Sequence, residues 1–144
     1  MPYLIDGNNL MRSLRIENRR ELLEKLFTYS QKKGSKIQVV FDGSAERFFP
    51  DGSSYKGIKI FYGMKDADAR IKKLVEASKD RRSFIVVTND LTLSDYCRSC
   101  GVRTIRIQEF ISIFETERQE EQKPDFSSKE LKEWMRYFGI DENE

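Results

Sequence analysis

Short apolar runs alternate along the chain with longer stretches in which apolar residues recur at every third or fourth position. The short runs are rich in β-branched and aromatic residues and lack clean polar alternation, which is typical of strands covered on both faces. They predict strands at 3–6, 37–42, 58–62, 84–88 and 102–107. The longer stretches predict helices at 17–33, 67–79, 91–100 and 108–118. Strands that alternate with helices indicate an α/β fold built on a parallel sheet.

Two segments interrupt this alternation. Residues 43–57 contain Gly, Ser and Pro around an apolar pair, which predicts a loop or lid. Residues 115–125 form a charged hinge, and 127–138 has the apolar spacing of an amphipathic terminal helix. We therefore expect a domain at 1–114, followed by a hinge and helix at 115–144.

Acidic residues fall at one end of the predicted strands. Asp6 ends the first strand and Asp42 the second. The others follow the third and fourth strands: Asp66, Asp68, Asp90 and Asp95. Because ligands of open parallel sheets bind outside the carboxyl ends of the strands, we expect these side chains to converge.

Each of these residues also has a structural interpretation. Asp66 and Asp90 are placed to cap helices, and Asp95 to lie on a solvated helix surface. Asp6 with Gly7 and Asn8 has the composition of a tight turn. These interpretations suit single residues better than five or six at one edge.

Composition narrows the chemistry. The 144 residues carry a net charge of +2, yet residues 1–114 hold 21 basic against 14 acidic side chains, and residues 115–144 hold 5 against 10. A basic body suits a polyanionic ligand, although a lysine-rich solvated surface would have the same composition. The chain contains no histidine, which excludes Ser-His-Asp and Cys-His catalysis, and its two cysteines are too few for a zinc ribbon.

Carboxylates must then perform the acid, base or metal chemistry of an enzyme. Closely packed carboxylates raise one another's pKa, and a cation is needed to keep them ionised. Mg²⁺ or Mn²⁺ prefers such oxygen ligands and supports phosphodiester hydrolysis without a protein nucleophile. The sequence therefore favours metal-dependent hydrolysis, without choosing RNA over DNA.

Four motifs occur in a familiar order: "YLIDGNNLM", "VVFDG", "KDADARI" and "VVTND". In order and spacing they resemble the NYN domains, and most of all the YacP-like branch. The resemblance covers residues 3 to 114 and implies a PIN-like, three-layer α/β/α sandwich with about five mainly parallel strands. It also implies that the metal-binding carboxylates are Asp6, Asp42, Asp68 and Asp90, and that Asn9 is the accompanying amide.

The chain departs from that pattern at one position. A second acidic residue usually follows Ala-Asp in the YacP-like branch, and here that position is Ala69. Asp66 either replaces the missing carboxylate or only caps the helix. Asp95 resembles the second aspartate that follows the Asn-Asp pair of Regnase-type NYN ribonucleases, although the gap between them is one residue longer in this chain. Asp66, Asp95 and Asn89 are therefore secondary candidates.

The resemblance implies a metal-dependent ribonuclease, and an endonuclease acting on single-stranded or locally open RNA. Basic side chains near the predicted edge are candidates for phosphate contacts: Arg12, Arg15, Arg19, Arg20, Lys56, Lys59 and Lys65. Phe48, Phe49 and Tyr55 are candidates for stacking on unpaired bases, and the alternative is that the phenylalanines cover the sheet edge.

Two other functions stay open. The first is an RNA or ribosome binding module with a decayed site, and the second is a metal-dependent phosphatase acting on small molecules. No apolar run approaches the ~20 residues of a membrane span, so we expect a cytoplasmic protein, as a monomer or homodimer.

Overall fold

The computed structural model describes residues 2–122, and six strands and five helices lie in this range. The strands are β1 (Tyr3–Asp6), β2 (Ile37–Asp42), β3 (Ser54–Tyr55), β4 (Ile58–Gly63), β5 (Ile85–Val87) and β6 (Arg103–Ile105). The helices are α1 (Gly7–Leu14), α2 (Arg19–Lys33), α3 (Ala67–Ala77), α4 (Leu91–Ser99) and α5 (Ile107–Gln122).

The strands form one sheet in the order β3-β4-β2-β1-β5-β6. All pairings are parallel except that of β3 with β4. This confirms the predicted α/β fold with a mainly parallel sheet. The sheet has one strand more than expected, because residues 54–55 of the predicted loop pair with the start of β4.

Helices cover both faces of the sheet. On one face, Leu4, Val40 and Val86 form a buried cluster with residues of α3 and α4. On the other face, Tyr3 contacts Phe110 edge to face, and Phe110 contacts Tyr29 of α2 in the same way. Because side chains alternate along a strand, Asp6 belongs to the face of Leu4, which is the face that α3 and α4 cover.

Helix α1 was not predicted, and the interpretation of Asp6-Gly7-Asn8 as a tight turn is wrong. Asp6 caps the helix by accepting a hydrogen bond from the Asn9 backbone N–H, and the helix begins at Gly7. A Cβ atom at Gly7 would lie 2.7 Å from the Phe41 ring and 2.8 Å from Val39. Only glycine permits this close approach of α1 to β2, so a tertiary contact decides the local structure.

Some boundaries differ from the predicted ones. Helix α5 continues through Gln122, so the first part of the predicted hinge is helical. The described chain divides into two compact units at Phe110 and Ile111. The predicted helix at 127–138 lies outside the described residues, and the domain assignment stays a prediction. Between residues 2 and 122, no helix is long and apolar enough to cross a membrane.

Candidate active site

Asp6 is the most enclosed of the predicted site residues, since only 4% of its surface is exposed. One carboxylate oxygen accepts the Asn9 N–H at 3.2 Å, and the other accepts the Thr88 hydroxyl at 3.5 Å. Burial raises the pKa of Asp6 to about 6, and the negative charge of Asp42 adds to the rise. Charge on Asp6 is therefore costly unless a cation lies beside it.

Asp68 and Asp90 form a second part of the site. Asp68 lies in the first turn of α3 and Asp90 caps α4, accepting the Leu93 N–H at 3.0 Å. A hydrogen bond between the two side chains shifts their pKa values in opposite directions. Burial, followed by this bond and the charges of Asp90, Asp6 and Asp66, raises the pKa of Asp68 to about 7. The pKa of Asp90 is lowered, chiefly by the bond from Asp68.

Asp42 and Asp66 hold the start of α3. A carboxylate oxygen of Asp42 accepts the Ala67 N–H at 2.6 Å, and Asp66 caps the helix by accepting the Ala69 N–H at 2.9 Å. Capping does not remove Asp66 from the site, because its charge contributes to the raised pKa of Asp68. Asp6, Asp42, Asp68 and Asp90 interact through hydrogen bonds or charge, and we call these four residues the carboxylate cluster.

Three asparagine side chains fix the backbone around this cluster. The Asn8 amide oxygen accepts the Asp42 N–H at 2.8 Å, and the Asn9 oxygen accepts the Asn89 N–H at 2.9 Å. Asn89 in turn accepts the Ile107 N–H at 2.9 Å. Asn9 and Asn89 thus position the loop that carries Asp90. Asn8 had no predicted role, and its partner lies 34 residues away in the sequence.

Sequence reasoning also missed two residues that act on the cluster. Thr88 is fully buried, donates to Asp6, and accepts the Asp90 N–H at 3.1 Å. Lys72 lowers the pKa of Asp90 through its charge. Lys72 lies four residues after Asp68 on α3, so helical spacing was a usable signal for it. Thr88 belongs to the motif "VVTND" but had no predicted role.

Asp95 does not join the carboxylate cluster. Its carboxylate accepts a hydrogen bond from Arg98 of the same helix at 2.5 Å, and 74% of the side chain is exposed. This corrects its assignment as a secondary site residue. Asp90 reaches the site because it caps the start of α4. Asp95 lies about one and a half turns further along this helix, away from the cluster.

The predicted RNA-binding residues fall into two groups. Arg12 lies at the site: its charge lowers the pKa of Asp6, and it lines a groove of about 390 Å³ with Asn9, Asn89 and Asp90. Lys65 lines a second groove, beside Asp66. Arg15 follows α1 as its left-handed C-cap and is exposed. These positions leave all three side chains accessible to a ligand.

The other predicted RNA-binding cations contact acidic groups, carbonyl oxygens or aromatic rings of the protein itself. Arg19 donates to the Asp42 carbonyl at 2.6 Å and to Glu46 at 3.0 Å, with its guanidinium 5.0 Å from the centre of the Phe41 ring. This placement disfavours the predicted RNA contact for Arg19. The remaining contacts are those of Lys56 with Glu24, of Lys59 with the Phe61 ring and of Arg20 with the Phe49 and Tyr55 rings.

The predicted stacking residues differ in their exposure to solvent. Phe49 is buried and meets the Tyr55 ring edge to face, so this phenylalanine covers the sheet edge, as the alternative interpretation held. Phe48 is 77% exposed. Only Phe48 of the pair therefore has a ring face available to a base.

The residues fit a divalent cation by the chemistry of their donors. Carboxylate oxygens are the ligands that Mg²⁺ and Mn²⁺ prefer, and the raised pKa values of Asp6 and Asp68 reflect repulsion and burial that a cation would relieve. The described residues contain no preformed group of three or more acidic or cysteine side chains placed to hold a metal. A cation would favour the ionised form of Asp68, whose pKa of about 7 lies well above its usual range.

The fold and the acidic edge define a nuclease-like α/β domain of the NYN class. The model of the YacP-like NYN domain family matches residues 3–139, and the chain belongs to this family. The family is generally nuclease-like and related to RNA. This result confirms the resemblance drawn from the four sequence motifs.

Two solved structures resemble this fold. The crystal structure of Rae1 (YacP) from Bacillus subtilis is 21% identical, with a TM-score of 0.60, over 85% of this chain and 78% of that one. A single-substitution variant of the same protein is 22% identical, with a TM-score of 0.62, over 83% and 77% of the two chains. Identity at this level shows the common fold alone. No curated protein matches this chain.

Proposed function

We propose that this protein is a metal-dependent ribonuclease that cleaves RNA internally. One observation carries the proposal: Asp6, Asp68 and Asp90 interact at the carboxyl edge of the sheet, with the pKa of Asp6 and Asp68 raised to about 6 and 7. Such an arrangement costs free energy in the absence of a cation and suits binding of Mg²⁺ or Mn²⁺. The basic body of the chain suits a polyanionic substrate.

Each residue has a role in this proposal. Asp6, Asp68 and Asp90 would hold the cation, with Asp42 beside them, and the cation would activate water and stabilise the leaving oxygen. Thr88 holds the Asp6 carboxylate, and Asn9 fixes the loop before Asp90. Arg12, whose charge acts on Asp6, would contact a phosphate of the substrate.

A Mn²⁺-dependent cleavage assay tests the proposal. Single-stranded RNA, structured RNA and single-stranded DNA are each incubated with wild type and with Asp6→Asn, in Mn²⁺ and in EDTA. We expect wild type to cut single-stranded RNA only with the metal, and Asp6→Asn to be inactive. Asparagine can still cap α1, which makes Asp6→Asn a conservative change. Failure of wild type to cleave any of the three would overturn the enzyme proposal.

A second candidate is an RNA or ribosome binding module. It is favoured by the absence, within the described residues, of a preformed group of metal ligands, and by the exposed Ala69 where the family pattern has an acidic residue. Metal-independent RNA binding or co-sedimentation with ribosomes, without cleavage in Mn²⁺, would support this candidate over the first.

A further inference from the structure

A groove of about 400 Å³ lies beside the carboxylate cluster, between the end of β4 and the first turns of α3. Met64, Lys65 and Asp66 line it from the connection, and Ala69 and Lys73 from the helix. We call it the lysine groove. Ala69 and Lys73 are four residues apart and therefore share one face of α3. A volume of this size is within the range of about 300–1,000 Å³ found for small-ligand sites.

The lysine groove lies beside the candidate active site, with Asp66 as the residue between them. Asp66 belongs to both, because it lines the groove and its charge acts on Asp68. Ala69 directly follows Asp68 in the sequence and is exposed. A ligand in the groove would therefore lie next to whatever occupies the carboxylate cluster.

The two lysines are the available cations of the groove. Arg70 also lines it, but its guanidinium is bound to Asp51 at 3.0 Å and to the Tyr62 carbonyl at 2.8 Å. Lys65 and Lys73 are exposed, and within the part of the chain that the structure describes neither forms an ion pair. Their charges favour an anionic ligand, in contrast to the acidic cluster next to them.

Met64 adds an apolar contact surface at the same place. Its side chain is 82% exposed, the largest exposure among the large hydrophobic residues described. A thioether is polarizable and makes favourable contacts with aromatic rings. Unpaired nucleotides are bound by cations that contact the phosphates and by side chains that contact the face of the base; aromatic residues usually supply the second contact, and here the Met64 thioether would take their place.

We propose that the lysine groove binds the nucleotide adjacent to the scissile phosphate, with Lys65 and Lys73 on its phosphates and Met64 on its base. The location next to the scissile phosphate rests on the proposed function. The base must be unpaired to reach Met64, so the groove selects single-stranded or locally open RNA.

The first experiment measures RNA affinity without cleavage. A labelled single-stranded RNA of about ten nucleotides is titrated in EDTA with wild type, with Lys65→Gln/Lys73→Gln and with Lys36→Gln/Lys79→Gln. The last pair is the matched control, because it removes the same charge from exposed lysines before β2 and after α3, at the opposite edge of the sheet. Thermal unfolding of all three proteins establishes that they are folded.

We expect the groove variant to bind RNA about tenfold more weakly than wild type. The slope of log affinity against log salt concentration should become shallower by about 1.4, because each lost phosphate contact on a single strand accounts for about 0.7. The control should stay within about twofold of wild type, with a smaller change in slope. Equal losses in the two variants would overturn the groove as a phosphate site.

The second experiment tests the contact with the base. Abasic sites are introduced one at a time into the RNA, and affinities are measured for wild type and Met64→Ala. We expect one position at which wild type loses about fivefold, as removal of one stacked base would predict, and at which Met64→Ala is insensitive. If Met64→Ala is as sensitive as wild type at every position, Met64 does not contact a base.

The two proposals fail separately. If the groove variant loses affinity and wild type does not cleave RNA in Mn²⁺, the nucleotide site stands and the ribonuclease proposal fails. If wild type cleaves RNA and both lysine variants bind alike, the ribonuclease proposal stands and the groove fails.

Discussion

Acidic side chains act on one another in the carboxylate cluster, whereas around residues 43–57 they form ion pairs with cations. The pKa of Asp6 and Asp68 is raised by burial and by neighbouring carboxylates. The pKa of Asp51 is lowered through its bonds from Arg70 and Tyr62, against the effect of burial. The pairs of the second region are Glu24 with Lys56, Glu46 with Arg19 and Asp51 with Arg70.

The difference separates charges that stabilise the fold from charges that oppose it. An exposed ion pair contributes at most about 1 kcal/mol, and its members need no further ligand. Carboxylates that repel one another destabilise the protein and persist where function requires them. Acidic side chains therefore have opposite effects in the two regions.

The largest expected effect is on cleavage. Asp90→Asn should reduce the rate of RNA cleavage in Mn²⁺ by about 100-fold or more, because even outer partners of metal ligands account for about 10- to 100-fold. Glu46→Gln, in the paired region, is the control and should stay within about twofold. Comparable rates for the two variants would remove the distinction between the regions.

The next effect concerns the pH dependence of stability without metal. Because folding raises the pKa of Asp6 from 3.8 to about 6, the folded protein retains a proton that the unfolded chain releases. The contribution of Asp6 to stability is thus present below pH 4 and is lost as the pH rises through 6. Asp6→Asn removes this pH dependence. By pH 8, its free energy of unfolding should exceed that of wild type by about 3 kcal/mol, because each unit by which the pKa of Asp6 is raised corresponds to about 1.4 kcal/mol.

Urea unfolding of both proteins in EDTA, from pH 4 to pH 8, measures this difference. The advantage of Asp6→Asn should shrink when Mg²⁺ is added, since the cation stabilises only a folded site that carries the charge. A difference that does not change with pH would contradict the raised pKa of Asp6.

A smaller effect is expected at Asn8, whose side chain connects α1 to the end of β2. Asn8→Ala leaves the backbone N–H of Asp42 without its acceptor, and the free energy of unfolding should fall by about 1–2 kcal/mol. Urea unfolding at pH 7 measures this change. Asn18→Ser, which keeps an N-cap acceptor at α2, serves as a conservative comparison and should change stability by less than about 1 kcal/mol.

The smallest effect is expected for the Glu46–Arg19 pair. Glu46→Gln should change the free energy of unfolding by less than about 1 kcal/mol, because the pair is partly exposed and Arg19 keeps its bond to the Asp42 carbonyl. Chemical unfolding at low and high salt checks this expectation. A larger, salt-sensitive loss would show that paired charges near β4 matter more than their exposure indicates.

Much of the sheet could be predicted, because buried parallel strands consist of continuous apolar runs. The positions of six aspartates at strand ends predicted an acidic edge, and the family resemblance narrowed them to Asp6, Asp42, Asp68 and Asp90; Asp95 lies away from this edge. Helix α1 could not be found in this way, since Gly7, Asn8 and Asn9 have poor helix propensity. Its stability depends on the Asp6 cap and on a close approach of Gly7 to Phe41, which is distant in sequence.

The hydrogen-bond partners of the amides were also beyond sequence reasoning. The side chains of Asn8, Asn9 and Asn89 all accept from backbone N–H groups, and every residue except proline has such a group. No pattern of residue types marks these partners. The internal use of Arg19 escaped prediction for a related reason, because one of its acceptors is a backbone carbonyl.

Helix capping by the acidic residues has a consequence for how this protein can evolve. Asp6, Asp66 and Asp90 each cap a helix, and asparagine caps about as well as aspartate. The codons of the two residues differ by one nucleotide, so a single mutation removes a charge from this edge and leaves the helix start intact. A descendant that keeps the fold and loses the proposed chemistry is therefore one step away at each of these positions.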